Sequence, residues 1–243
     1  MMVHMGELIL LRHGETEWSA AGRHTGRTDV PLTARGEAQA AALARVLAGR
    51  KIRAAFTSPA ERAVRTAKLV GLDGAKQDPD LWEWDYGGYE GRTTAQLRAL
   101  RPGWYLWRDG VIPGDADHPG ETVEQVGARV DAVLRRVRPL LRAGGAGGGT
   151  DAATGGEDDD GGADDDGADC DDGADCDDGA DDGDDGDVVI VAHGHVLRVL
   201  TARWLGLEPS GGRLFRLDTG TYSALGTEHG EPVITGWNVP VAR

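Results

Sequence analysis

The spacing of apolar residues along this chain switches between continuous short runs and helical repeats, and each switch marks an element. Leu8-Ile9-Leu10-Leu11 is an unbroken apolar run ended at once by Arg12-His13-Gly14, which reads as a strand buried on both faces of a parallel sheet. Thr33 then stands where a helix cap is expected, and Ala38, Ala41, Ala42, Leu43, Val46 and Leu47 keep helical spacing as far as Gly49. Ala54 to Ser58 predicts a short strand, and Pro59 suits the first turn of a helix over Ala60 to Val70 that Gly71 stops. Helical spacing returns over Thr122 to Leu141, through Val123, Val126, Val130, Val133, Leu134 and Val137. Val188-Val189-Ile190-Val191 is a second buried run, ending in Ala192-His193-Gly194-His195 and followed by a helix over Val196 to Leu205. Arg213 to Asp218, Tyr222 to Gly226 and Val233 to Trp237 read as three short strands. Alternating strands and helices predict an α/β fold, a three-layer αβα arrangement around a mostly parallel central sheet.

Two stretches break the pattern. Residues 78–120 look irregular and hold Trp82, Trp84, Trp104 and Trp107, four of the seven tryptophans. The rings either pack as a lid on the sheet or line a substrate mouth, and the sequence leaves both open. Residues 144–186 contain almost nothing but Gly, Ala and Asp, with no apolar surface to offset the entropy of ordering, and predict a disordered insertion. The expected organisation is therefore one domain, 1–143 with 187–243, interrupted by 144–186.

Composition sharpens this division. The net charge is −15, but Asp151 to Asp187 carries 18 Asp and one Glu with no Lys or Arg, which leaves 22 acids against 26 bases elsewhere. A body near +4 suits an anionic substrate. Calcium binding by the acidic stretch is the weaker reading, because no twelve-residue loop or nonapeptide repeat is present. Both cysteines, Cys170 and Cys176, lie inside it and carry no redox framework for the body. No apolar run approaches the roughly 20 residues that a bilayer requires. Met1 to Glu7 lacks a secretion signal, so the expectation is a cytoplasmic protein with no membrane or nucleic-acid partner; monomer and homodimer are both open.

Two buried strands that each end in a histidine bring imidazoles to the sheet edge where α/β proteins place their chemistry. Phosphoryl transfer needs a nucleophile, cations around the phosphate oxygens and an acid for the leaving group, and each has a candidate. Arg12-His13-Gly14-Glu15-Thr16-Glu17-Trp18, followed by Gly22-Arg23-His24-Thr25-Gly26-Arg27-Thr28-Asp29, resembles the amino-terminal signature of the histidine phosphatase superfamily, in its phosphoglycerate-mutase-like branch. Ser58-Pro59-Ala60-Glu61-Arg62-Ala63-Val64-Arg65-Thr66-Ala67 is similar to the second motif, Leu81-Trp82-Glu83-Trp84-Asp85-Tyr86-Gly87-Gly88-Tyr89-Glu90-Gly91 to the acid-bearing stretch, and Val191-Ala192-His193-Gly194-His195 to the third motif.

The resemblance implies His13 as nucleophile, Arg12, Arg62 and His193 as phosphate ligands, and Glu83 as proton donor, with no cofactor and no metal. Asp85 and Glu90 are rivals for the acid, Glu90 being the better candidate for a structural hydrogen bond, and His195 is the rival of His193. Desolvation among Trp82, Trp84 and Tyr86 is expected to raise the Glu83 pKa. Ser19, Thr25, Gly26, Trp84 and Tyr86 are candidates for the substrate pocket. Ser19 and Trp84 stand where phosphoglycerate mutases carry Asn and Arg, and the stretch from Gly91 to Gly120 lacks their paired arginines. The expected activity is hydrolysis of a small phosphorylated metabolite through a phosphohistidine, toward the acid phosphatase and sugar-bisphosphate phosphatase members. The alternatives are a phosphoglycerate mutase and a non-catalytic protein that binds a phosphorylated partner.

Overall fold

The computed structural model describes residues 6–141 and 186–241. The expectations for the acidic insertion and for Cys170 and Cys176 lie outside these residues. Six strands form one mixed sheet: β1 (Leu8–Arg12), β2 (Ile52–Thr57), β3 (Lys76–Gln77), β4 (Asp187–Ala192), β5 (Thr221–Glu228) and β6 (Glu231–Pro240), in the order β3-β2-β4-β1-β5-β6. The β3-β2, β2-β4 and β4-β1 pairings are parallel, whereas β5 and β6 run antiparallel at one edge. Strands from both sides of residues 142–185 therefore pair at the centre of the sheet.

The continuous apolar runs follow from this position. Leu8, Leu10, Val188 and Ile190 face one layer, and Ile9, Leu11, Val189 and Val191 face the other, so neither central strand has a side turned to water. Helices α2 (Ala34–Leu47) and α3 (Glu61–Leu69) cover the second face through Leu43, Ala63 and Ala67. On the first face lie α6 (Val123–Val137) and α7 (Gly194–Trp204), with Val126, Val130, Val133, Val196 and Leu200 in the core. The helices start where the sequence places their caps: the Thr33 hydroxyl accepts from the Gly36 amide, and Thr122 and Gln125 form a reciprocal capping box.

Two expectations need correction. The segment from Arg213 to Asp218 is not a strand: a 3-10 turn runs over Pro209–Leu214 and the chain continues irregularly. Its apolar residues form no common buried face, since Leu214 is 66% exposed while Leu217 is buried, and Gly212 lies so close to the Trp107 ring that a Cβ there would sit 2.7 Å from it. Residues 78–120 are less irregular than they read. They contain the short helices α4 (Thr94–Leu100) and α5 (Leu106–Asp109) and two 3-10 turns, all too brief to show a period. The strand pair Lys76–Gln77 and the one-turn helix α1 (Glu17–Ala20) were equally invisible. Within this region Trp84, Trp104 and Trp107 are buried in the core over the first face, which favours the packing-lid reading of these rings.

The assignment yields a stability contrast. Ile190→Ala, at a fully buried position of β4, should cost about 2–5 kcal/mol in urea denaturation, whereas Leu214→Ala should stay within about 0.5 kcal/mol. Comparable losses at both sites would contradict the 3-10 assignment of the segment around Leu214.

Candidate active site

The register of the two central strands brings the candidates together. Arg12 pairs with Ala192, so His13 and His193 leave the sheet as neighbours at the carboxyl ends of β1 and β4, their ring centroids 5.1 Å apart. The ladder continues into the loops: the His13 amide donates to the Ala192 carbonyl and the Ser58 amide to the Val191 carbonyl, each at 3.0 Å. Gly14 follows because backbone crosses here, and a Cβ on it would lie 2.1 Å from the Gly36 carbonyl oxygen.

The hydrogen bonds fix the imidazole tautomers. His13 Nδ1 lies 2.7 Å from the Gly14 carbonyl oxygen, which can only accept, so Nδ1 carries the proton and Nε2 keeps its lone pair. His193 is the reverse: Arg62 Nε donates to its Nδ1 at 3.2 Å, and its protonated Nε2 donates to Ser58 Oγ at 2.7 Å. Burial, Arg62 and Arg12 together push the His13 pKa well below the ordinary 6.5, and burial with Arg62 and His13 does the same to His193. Both imidazoles are neutral at neutral pH.

Two guanidinium groups share this space. Arg12 donates through NH1 to the Leu217 carbonyl, while its Nε is sealed from solvent with no hydrogen-bond partner. Its guanidinium packs against Gly194, where a Cβ would stand 3.2 Å from Cζ. Arg62 is fully buried and donates to the carbonyls of Thr28 and Gly26 at 2.9 and 2.8 Å, with the Asp29 carboxylate 3.7 Å away. Burial pulls the pKa of each arginine down, and Glu83 is the leading charge opposing that shift for both. Among the described residues no carboxylate forms an ion pair with Arg12. Its NH2 makes no hydrogen bond among the described residues and is not sealed from solvent, so it is the Arg12 group able to meet a phosphate oxygen.

The Glu83 carboxylate sits on the first turn of α7. Oε1 accepts from the Trp84 and Val196 amides and Oε2 from the His195 amide, all at 2.9 Å. Its surroundings are more polar than three neighbouring rings would suggest. The rivals serve elsewhere: Asp85 accepts from Arg27 and the Gly87 amide, and Glu90 holds the loop carrying Thr25 and Gly26 by accepting from the Gly26 and Thr28 amides.

The remaining pocket candidates divide. Gly26 and Thr25 form the loop wall that Arg62 and Glu90 clamp. Ser19 is spent on the capping box of α1 with Thr16. Trp84 is fully buried with its indole N–H on the Glu121 carbonyl, and this burial removes it from any open pocket. Tyr86 is buried with its hydroxyl 2.7 Å from His195 Nδ1. Sequence reasoning missed Ser58 as the partner of His193, and Thr66, whose hydroxyl accepts from the Gly14 amide and donates to the Arg62 carbonyl. It also missed His24, stacked 4.8 Å from Tyr86. All three lie inside motifs already singled out, but nothing in the sequence gave their partners.

Known proteins resemble this chain in sequence and in fold. The sequence profile of the histidine phosphatase superfamily, branch 1, matches residues 8–144 and 176–240. An acid phosphatase of Mycobacterium tuberculosis is 32% identical over 95% of this chain and 91% of its own length. Sedoheptulose 1,7-bisphosphatase of Saccharomyces cerevisiae is 31% identical over 82% of this chain and 67% of its own. A solved Mycobacterium tuberculosis structure superposes with a TM-score of 0.74 at 30% identity, covering 98% of this chain and 99% of that one. Among the described residues no helix is long and apolar enough to cross a membrane.

The buried imidazoles couple the site to pH. His13, His24, His193 and His195 all resist protonation in the folded state, His24 down to about 4, whereas the unfolded chain accepts those protons below 6.5. The unfolded state then binds more protons, so stability falls as pH drops through this window. Urea midpoints measured from about pH 7.5 to about pH 5 should decline; a constant or rising midpoint would contradict neutral burial.

Proposed function

We propose that this chain, which belongs to the histidine phosphatase superfamily (branch 1), hydrolyses phosphate monoesters of small molecules through a phosphohistidine on His13. The observation that carries the reading is the lone pair of His13 Nε2, left free by the Gly14 carbonyl and set beside buried arginines. Relatives named as acid phosphatase, sedoheptulose 1,7-bisphosphatase and glucosyl-3-phosphoglycerate phosphatase support hydrolysis.

In this reading His13 Nε2 attacks phosphorus as the bond to the alcohol oxygen breaks, and protonated Glu83 gives its proton to that oxygen. Water then attacks the phosphohistidine and yields its proton to Glu83. Inorganic phosphate leaves, and His13 returns to its neutral form. Arg12 offers a phosphate oxygen the N–H groups of its NH2, which make no hydrogen bond among the described residues and are not sealed from solvent, a charge-assisted bond that repays its burial. His193 exchanges Ser58 Oγ for a phosphate oxygen by redirecting its Nε2–H. Arg62 holds the Nδ1 of His193 and the Thr25–Thr28 loop while placing positive charge beside the phosphate. The charge of the phosphoryl group is thus met by protein cations, and the scheme contains no metal-dependent step.

The test is phosphate release from a panel of phosphomonoesters, with the enzyme trapped in acid during turnover. Wild type should release inorganic phosphate and carry acid-labile phosphate, and His13→Ala should do neither. Full labelling of folded His13→Ala, or an isomeric phosphoester as product, would overturn the proposal.

A further inference from the structure

His195 follows the expected phosphate ligand by two residues, and the scheme above uses only its main chain. Its backbone N–H donates to Glu83 Oε2, and its side-chain Nδ1 stands 3.9 Å from the same oxygen. The imidazole therefore lies beside the proton donor of the scheme above. Tyr86 fixes its tautomer. The buried Tyr86 hydroxyl has His195 Nδ1, at 2.7 Å, as its only hydrogen-bonding partner among the described residues. If Nδ1 carried the proton, the buried hydroxyl would have no acceptor, so the hydroxyl donates to Nδ1 and the ring proton sits on Nε2.

That Nε2–H has no partner. The His195 side chain is 21% exposed, and Nε2 is neither hydrogen-bonded among the described residues nor sealed from solvent. The ring is held rigidly from other sides by Trp107, at 5.4 Å between centroids, and by Trp84, at 6.2 Å. We infer that His195 is a specificity-determining residue that reads the alcohol half of the substrate, its Nε2–H donating to a hydroxyl oxygen close to the scissile ester. The preferred class is phosphate monoesters of polyhydroxylated alcohols over those of plain alkyl alcohols. The inference rests on the phosphatase reading and adds a substrate class to it.

The surroundings argue for an uncharged oxygen. Burial, with Arg198 and His24 nearby, keeps His195 neutral, and burial keeps His24 neutral. Arg198, the charge that acts most on His195, lies 4.8 Å over the Trp107 ring and donates through Nε and NH2 to the Gly212 and Arg213 carbonyls. A neutral donor between aromatic walls suits a hydroxyl, and losing one such bond changes discrimination by about tenfold.

The experiment compares kcat/KM for sorbitol 6-phosphate with that for n-hexyl phosphate, esters of equal chain length. His195→Leu should lower the ratio about tenfold. Tyr86→Phe, which frees the tautomer while keeping the ring, should lower it several-fold, and His195→Gln, which keeps an N–H donor, should preserve most of it. Equal losses on both esters in folded His195→Leu would mean that the residue only supports Glu83, and an unchanged ratio in both His195→Leu and Tyr86→Phe would likewise overturn the inference. Absence of phosphate release from either ester by wild type would count against the phosphatase reading itself, which an unchanged ratio would leave standing.

Discussion

Two arginines and two imidazoles are packed into one water-poor space at the carboxyl edge of β1 and β4, with a single carboxylate, Glu83, as the main charge opposing them. Burying a guanidinium is costly unless something pairs with it, and the surrounding structure is arranged around that cost. The Leu217 carbonyl meets Arg12, the carbonyls of Gly26 and Thr28 meet Arg62, and Asp29 and Glu90 lie close enough to oppose the shift of Arg62. Among the described residues, Nε and NH2 of Arg12 are left without a hydrogen-bond partner. A dianionic phosphoryl group would complete this arrangement, so the same imbalance that costs stability favours substrate.

The cations also set the proton map. Because burial first, and the arginines after it, keep both His13 and His193 neutral, each ring has one donor and one acceptor nitrogen, and neighbours decide which is which. A carbonyl at Gly14 holds the proton of His13 on Nδ1, whereas a guanidinium at Arg62 and a hydroxyl at Tyr86 leave those of His193 and His195 on Nε2. None of these choices needs a charged residue to change state. The neutral rings instead move the sensitivity to acid into folding, where the unfolded chain takes up the protons.

Much of this was legible in the sequence because buried parallel strands leave continuous apolar runs. Leu8–Leu11 and Val188–Val191 announced the two central strands, and the residues that follow them, His13 and His193, announced the site. The order of strands was not legible, since pairing β1 with β4 depends on contacts across more than 170 positions of chain. Short elements were hidden for a different reason: α4, α5 and the turn at Pro209–Leu214 are too brief for a period to show. Trp84 looked like a pocket residue because its neighbours carry chemistry, yet alternation along Trp82-Glu83-Trp84 turns Glu83 to α7 and buries Trp84. The partnerships of Ser58, Thr66 and Tyr86 are set by tertiary packing and leave no periodic trace.

The central claim is that the Gly14 carbonyl, by holding the proton on Nδ1, assigns the chemistry of His13 to Nε2. The most direct measurement is the position of the phosphoryl group on the trapped phosphoenzyme. Proton–phosphorus correlation NMR after alkaline digestion distinguishes the two phosphohistidine isomers, and peptide mapping identifies the residue. The account predicts phosphate on Nε2 of His13, and phosphate on Nδ1, or on His193, would contradict it.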